Sequence, residues 1–98
     1  MATATIFAEK NRLMVSGDLN FSTVPLLWQQ SLPLMTAAHD LNFDFTKITS
    51  SNSAGLALLI EWFKYAKTVG KKIAFSNIPT QLNSIIHAAG IESLLLKN

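Results

Sequence analysis

The chain contains no cysteine, and it carries few charged residues. Of its 98 residues, 14% are charged and 49% are hydrophobic. Without cysteine there can be neither a disulfide framework nor a thiolate metal site, which fits a reducing compartment. So high a hydrophobic share excludes a disordered tail, and so few charges indicate that another protein covers part of the apolar surface. The length predicts one domain over residues 1–98.

Long hydrophobic runs are also absent. The most apolar run, residues 54–60, is far shorter than the roughly 20 residues that cross a bilayer. The N-terminus has no basic segment followed by a long apolar block, as a signal peptide would have. The net charge of +2 comes from basic residues spread along the chain, which argues against nucleic acid as the main partner. We expect a soluble domain that can sit on a membrane complex.

The spacing of apolar residues predicts the order of secondary-structure elements. Predicted strands span residues 3–8, 12–16, 41–46 and 71–76, and predicted helices span residues 24–35, 55–69 and 79–89. Pro33 is expected to kink or shorten the first helix. Gly70 and Gly90 are expected to end the second and third helices, and the apolar tail 91–96 should pack back onto the domain. An opening hairpin followed by helix crossovers gives an α/β fold with a small mixed, mostly parallel sheet and about three to four helices.

Small polar residues fill the junction between the third strand and the second helix. Ser and Asn are ordinary residues at a helix start, because the first backbone N–H groups lack partners within the helix. The same N–H groups can also receive an anion or a side chain from a partner. Because the carboxyl ends of parallel strands carry the binding loops, we expect Asn20 to lie near Asn52 and Ser53.

The second helix carries two apolar stripes. One consists of Leu56, Leu59, Ile60 and Phe63, and the other consists of Leu58, Trp62, Tyr65 and Val69. A helix that rests on a sheet buries only one face, so the second stripe must be covered by a neighbouring helix or by a partner. Trp62 and Tyr65 favour a partner, because amphipathic aromatic residues are enriched in interface cores. Trp28 on the first helix is open to the same interpretation.

Residues suited to catalysis or metal binding lack the necessary spacing. Ser53 could act as a nucleophile, but only His39 and His87 offer an imidazole. Neither histidine has a carboxylate at a sequence spacing that indicates a catalytic site. No His-x-x-x-His or paired-carboxylate pattern is present. The sequence therefore predicts a protein that is not an enzyme and that holds no metal or cofactor.

Two motifs resemble the STAS domain, the fold of anti-sigma factor antagonists and of the cytoplasmic domains of sulfate transporters. Residues 43–48 followed by Asn52-Ser-Ala-Gly-Leu56 are similar to the family's strand and its Asp-Ser-[small]-Gly-Leu motif. Residues 16–28 are similar to the family's Gly-x-Leu-Asp segment, and their Pro and Leu-Trp ending resembles the Mla-type branch of phospholipid transport subunits. The resemblance covers nearly the whole chain.

The resemblance implies a function for the polar junction. In the Mla-type branch, the hydroxyl residue that matches Ser53 contacts the ATPase subunit. The chain would then be a non-enzymatic accessory subunit of a phospholipid ABC transporter, stabilising or activating an MlaF-like ATPase held in a complex with a permease. The predicted partner-binding residues are Asn52, Ser53, Ala54, Leu58, Trp62 and Tyr65.

Two alternatives remain open. In the antagonist branch, the serine that matches Ser53 is phosphorylated by a partner kinase, and two aspartates mark that branch. Asn20 and Asn52 occupy those two positions here, which removes charge that could order a magnesium nucleotide. An anti-sigma factor antagonist switched by phosphorylation of Ser53 is the first alternative. A lipid carrier with a cavity between helices and sheet is the second.

Overall fold

A hairpin forms the antiparallel edge of a four-stranded sheet in the computed structural model, which describes residues 3–95. The elements are β1 Ala4–Glu9, β2 Arg12–Leu19, α1 Val24–Ala37, β3 Leu41–Ser51, α2 Ser53–Val69, β4 Ile73–Ser76, α3 Thr80–Ala88 and α4 Glu92–Leu95. The strand order is β1-β2-β3-β4, with β2 parallel to β3 and β3 parallel to β4. The predicted α/β fold with a mixed, mostly parallel sheet is confirmed.

The helices lie on one face of this sheet. Both parallel connections step in the same direction across the sheet, and right-handed crossovers then place their helices on the same side. On that side Val15, Phe43 and Phe45 are buried, whereas Thr5 and Phe7 on the other side are exposed. The domain therefore has two layers, and no helix of residues 3–95 covers the second face of the sheet.

The core is built around the indole ring of Trp62, which is fully buried. The ring stacks on Phe43 with centroids 4.0 Å apart and an interplanar angle of 17°. The Trp62 Nε1–H group donates a hydrogen bond of 2.9 Å to the hydroxyl of Ser31, which is also fully buried. Phe45 contacts the same indole from the sheet, with centroids 6.2 Å apart. These aromatic rings fill the space between α2 and the centre of the sheet.

The structure buries part of each apolar stripe of α2. In the second stripe, Leu58 and Trp62 are buried, and the indole of Trp62 donates a hydrogen bond to Ser31 of α1. In the first stripe, Leu59 is fully buried, whereas Leu56, Ile60 and Phe63 are half-buried. A neighbouring helix, not a partner, therefore covers Trp62, and the stack between Phe43 and Trp62 fixes how α2 is rotated against the sheet.

Several element boundaries differ from the predicted ones. β2 and β3 run on to Leu19 and Ser51 as a parallel pair with irregular register, although their side chains stop alternating earlier. α1 continues past the exposed Pro33 to Ala37, so this proline does not end the helix. No helix within residues 3–95 is long and apolar enough to span a membrane.

The ends of the helices follow the predicted chemistry more closely. Gly70 adopts a left-handed conformation with φ of 71° and ends α2 as expected. α3 ends just before Gly90, which also has a positive φ of 72°. The predicted tail packs back through Leu95, which is 4% exposed, while residue 96 lies outside the described range.

Asp44 lies on the face of the sheet opposite the helices, but its carboxylate is buried and the residue is only 1% exposed. Its Oδ1 atom accepts hydrogen bonds from the hydroxyl of Thr46 at 2.6 Å and from the Nδ2 atom of Asn77 at 3.1 Å. Arg12 Nη1 lies 2.6 Å from the other carboxylate oxygen. Burial by itself raises the pKa of Asp44, but the hydrogen bonds from Thr46 and Asn77 and the charge of Arg12 outweigh it and lower the pKa to about 2.

Substituting Asp44→Asn should lower the free energy of unfolding of the domain and make it less dependent on pH in the acid range. Because the pKa of Asp44 falls from 3.8 to about 2 on folding, the ionised carboxylate stabilises the fold by about 2 kcal/mol above pH 4. This contribution is lost as the pH falls through the pKa of the folded state. Urea unfolding from pH 7 down to pH 2.5 should show both effects for Asp44→Asn, and neither for the exposed control Glu9→Gln. Equal acid dependence in wild type and Asp44→Asn would contradict this account.

Candidate functional site

The polar junction forms the first turn of α2, and its two central residues have different roles. Asn52 is the N-cap, and its Oδ1 atom accepts a hydrogen bond of 2.8 Å from the backbone N–H of Ala54. Ser53 is the first helical residue and is exposed. Within residues 3–95 no hydrogen bond connects its hydroxyl to another group. Asn52 therefore shapes the backbone, and the hydroxyl of Ser53 is available for contact.

The loop between β2 and α1 lies beside this turn, as the topology suggested. The backbone N–H of Asn52 donates to the carbonyl oxygen of Leu19 at 3.0 Å. Next to Leu19, Asn20 Oδ1 accepts hydrogen bonds of 2.8 Å and 3.1 Å from the backbone N–H groups of Ser22 and Thr23. Both asparagines thus hold backbone turns, and the structure brings their segments together at the carboxyl ends of β2 and β3.

Gly55 fixes how closely α2 approaches the end of β3. A Cβ atom at this position would lie 2.2 Å from the hydroxyl oxygen of Ser51 and 3.3 Å from the side chain of Leu82. Ser51 itself is 3% exposed, and its backbone N–H donates to Gln81 Oε1 at 2.9 Å. The first turn of α2 is therefore held rigidly between β3 and α3.

The structure separates the six predicted partner-binding residues into two groups. Asn52 and Ser53 are exposed, and Tyr65 is half-buried. Three residues are buried inside the domain, with exposures of 1% for Ala54, 1% for Leu58 and 0% for Trp62. The prediction of a partner contact is corrected for Ala54 and Trp62, because the domain's own side chains already cover them, whereas Leu58 lines the groove described next.

A groove between α1 and α2 begins one turn beyond Ser53. Its volume is about 270 Å³, and its lining residues are Val24, Pro25, Trp28, Ala57, Leu58 and Glu61. Ser53, Ala57 and Glu61 are spaced four residues apart on the exposed side of α2. One turn after Glu61, the ring of Tyr65 meets Trp28 edge to face, with centroids 6.4 Å apart. We call this cavity the α1–α2 groove. The α1–α2 groove and Ser53 therefore lie on one continuous surface.

The segment that contains α1 carries a further signal of a covered surface. The twenty residues from Leu19 to Ala38 include no charged side chain. Within this segment Phe21 is 69% exposed and Leu26 is 56% exposed. Large apolar side chains in solvent indicate a covered surface, but neither of these two residues lines the groove.

Titratable groups elsewhere add no further chemistry to this turn. His39 and His87 lie on the surface, and each contacts a carboxylate near it in the chain. Asp18 accepts hydrogen bonds from the hydroxyls of Thr49 and Ser50, which hold the pKa of its carboxyl below the ordinary range. Across residues 3–95, His, Asp and Glu side chains nowhere form a group of three that could hold a metal ion.

Comparisons with known proteins agree with this architecture. A family model described as "Mlab, STAS domain" matches residues 4–97. The anti-sigma-B factor antagonist of Bacillus subtilis (strain 168) is 21% identical over 81 residues, which cover 83% of this chain and 74% of that protein. The solved structure of the anti-sigma factor antagonist SpoIIAA in its unphosphorylated form is similar with a TM-score of 0.72 and 12% identity. That similarity covers 95% of this chain and 85% of the other.

Substituting Gly55→Val should destabilise the domain. The branched side chain would press against Ser51 and Leu82, and overpacking of this kind costs about 1–3 kcal/mol. Urea unfolding should reveal the loss. Ala57→Val, on the exposed side of the same helix, serves as the control and should change the free energy of unfolding by less than about 1 kcal/mol. Equal stability of the two variants would show that the first turn of α2 is not held tightly.

Proposed function

The chain belongs to the MlaB-type STAS domain family, and from this premise we propose that it is a non-enzymatic accessory subunit of an Mla-type phospholipid ABC transporter. In this role it binds the transporter's ATPase subunit, an MlaF-like protein held in a complex with a permease. The domain lies on the cytoplasmic side of the inner membrane and touches the membrane only through that complex. By stabilising the assembled transporter it supports the lipid asymmetry of the outer membrane.

The observation that carries this proposal is the exposed hydroxyl of Ser53 on a rigid turn. Asn52 caps the turn, and the close approach at Gly55 fixes its position against the sheet. A contact group that is ordered before binding loses little conformational entropy when a partner docks. No base or second nucleophile of the described residues bonds to this hydroxyl, so the geometry favours contact over catalysis.

Activation of an ATPase requires no chemistry from its accessory subunit. A subunit that binds one conformation of the ATPase more tightly than another shifts the population toward the preferred conformation. A tenfold difference in affinity corresponds to about 1.4 kcal/mol. A small rigid domain that contacts the ATPase at Ser53 can provide a difference of this size through a few side chains.

Substituting Ser53→Arg should abolish binding to the ATPase and leave the domain folded. An arginine at the first helical position opposes the helix dipole by only about 0.3–1 kcal/mol, whereas its bulk would block a fitted interface. The measurement is co-purification of the ATPase and permease with a tagged domain after gentle detergent solubilisation. Ser84→Arg introduces the same side chain at an exposed position of α3 and should retain both proteins. Undiminished recovery with Ser53→Arg would refute the proposal.

A second candidate is an anti-sigma factor antagonist switched by phosphorylation of Ser53. It is favoured by the similarity to two antagonists and by the exposed hydroxyl at a helix start. A phosphate there would add roughly −1.5 to −2 charge beside the positive end of the helix dipole, and it would repel an acidic partner surface. Asn20 and Asn52 stand against this candidate, since they occupy the positions of two aspartates that mark the antagonist branch and carry no charge that could order a magnesium nucleotide.

The two candidates differ in the mass of the protein after incubation with candidate kinases. The transporter role predicts that intact-mass analysis finds only the unmodified chain, because the hydroxyl serves as a contact. A phosphorylated form that disappears in Ser53→Ala would instead support the antagonist role. A phosphorylated form that persists in Ser53→Ala would place the modification elsewhere, and so would not count for the antagonist role.

A further inference from the structure

We infer that the α1–α2 groove receives an arginine side chain of the ATPase subunit, whose guanidinium group pairs with Glu61. The inference rests on the proposed function and adds the chemistry of the contact. It begins from the shape and lining of the groove, whose volume of about 270 Å³ accommodates one long side chain. Pro25, Trp28 and Ala57 form apolar walls that suit the aliphatic stem of an arginine.

Charge identifies the end group of that side chain. Glu61 is the one charged residue among those that line the groove, and α1 contributes no charge at all. The only cation paired with Glu61 in the described residues is Lys64, at 3.5 Å. Both side chains of that pair are more than half exposed, and exposed pairs of this kind contribute little. The carboxylate can therefore exchange Lys64 for a cation that a partner brings into the groove.

The aromatic wall favours arginine over lysine. Trp28 lines the groove and is only half-buried, so part of its indole ring is accessible. A guanidinium group is planar and weakly hydrated, and it stacks on an aromatic ring while it donates two parallel hydrogen bonds to a carboxylate. An ammonium group is more strongly hydrated and lacks the planar geometry. Trp28 and Glu61 together thus recognise the guanidinium group.

The position of the groove connects it to the ATPase contact. Glu61 follows Ser53 by two helical turns on the same side of α2, a distance of about 12 Å along the helix axis. A partner surface that covers Ser53 extends over the groove without a break. The carboxylate also repels anionic occupants, so lipid headgroups and phosphopeptides are poor matches for this groove.

A second copy of the chain is a weaker match than the ATPase. The sequence contains a single arginine, Arg12. Its Nη1 atom lies 2.6 Å from the carboxylate of the buried Asp44, and placing it in another copy's groove would leave that carboxylate without its cation. The guanidinium group must therefore come from a different protein.

The test measures the affinity of the purified ATPase subunit for variants of the domain. Removing one partner of a desolvated charge pair should weaken binding, and we expect about a tenfold loss for Glu61→Gln and a larger loss for Glu61→Lys. The affinity of Glu61→Gln should also vary less with salt than that of the wild type. Glu9→Gln makes the same change at the hairpin end of the sheet and should bind as the wild type does.

Filling the groove provides a second, uncharged variant. Ala57→Phe should place a ring where the arginine stem would lie, and it should weaken binding by at least tenfold. Ala88→Phe makes the same change at an exposed position of α3 and should have no effect on affinity. Circular dichroism must show that all variants remain folded.

Exchanging the charges of Glu61 and of its partner identifies the arginine of the ATPase. Among arginine-to-glutamate variants of the ATPase, one should lose binding to the wild-type domain and regain it with Glu61→Arg. If no variant behaves in this way, the arginine assignment is overturned. If Ser53→Arg abolishes binding while the Glu61 and Ala57 variants bind normally, the groove inference fails and the proposed function stands. If the wild-type domain does not bind the ATPase, both fail, and self-association that Glu61→Gln disrupts would assign the groove to a second copy.

Discussion

The hydrogen bond from the indole of Trp62 to the hydroxyl of Ser31 joins α2 to α1 inside the core. Both residues are fully buried, so an indole N–H without a partner would cost about 1–3 kcal/mol. The same indole lies flat on Phe43 of the sheet, and the hydroxyl of Ser31 donates in turn to the carbonyl oxygen of Trp28. The two helices and the sheet therefore have one favourable relative arrangement, and the groove between the helices follows from it.

This arrangement decides which part of α2 a partner can reach. Leu58, Leu59 and Trp62 form the inner side of the helix, so these large apolar side chains are used within the domain. On the edge of α2 beside the uncharged helix α1, the residues Ser53, Ala57 and Glu61 remain exposed. A partner surface thus meets a rigid edge with a hydroxyl at one end and a carboxylate at the other. Because the edge is ordered beforehand, binding does not require the domain to rearrange.

The sequence was sufficient to predict features that depend on local chemistry. The order of strands and helices followed from periodicity, the end of α2 followed from Gly70, and the proximity of the two loops followed from the rule on parallel strands. The burial of Trp62 could not be predicted in this way, because two apolar stripes are equivalent until the partner ring of Phe43 is known. The groove was missed for a related reason. It is lined by residues of two helices, and the sequence does not show that Glu61 of α2 lies beside Trp28 of α1.

In the proposed contact, the apolar walls of the groove and the carboxylate of Glu61 contribute differently to recognition. Apolar side chains such as Pro25 and Trp28 gain free energy when any partner covers them. That gain is not selective, because any apolar surface of matching shape would provide it. A single carboxylate at the end of an apolar groove makes the contact selective, since a partner without a cation there would leave the charge desolvated and unpaired. Because α1 carries no charge, Glu61 alone would select the partner in the proposed contact.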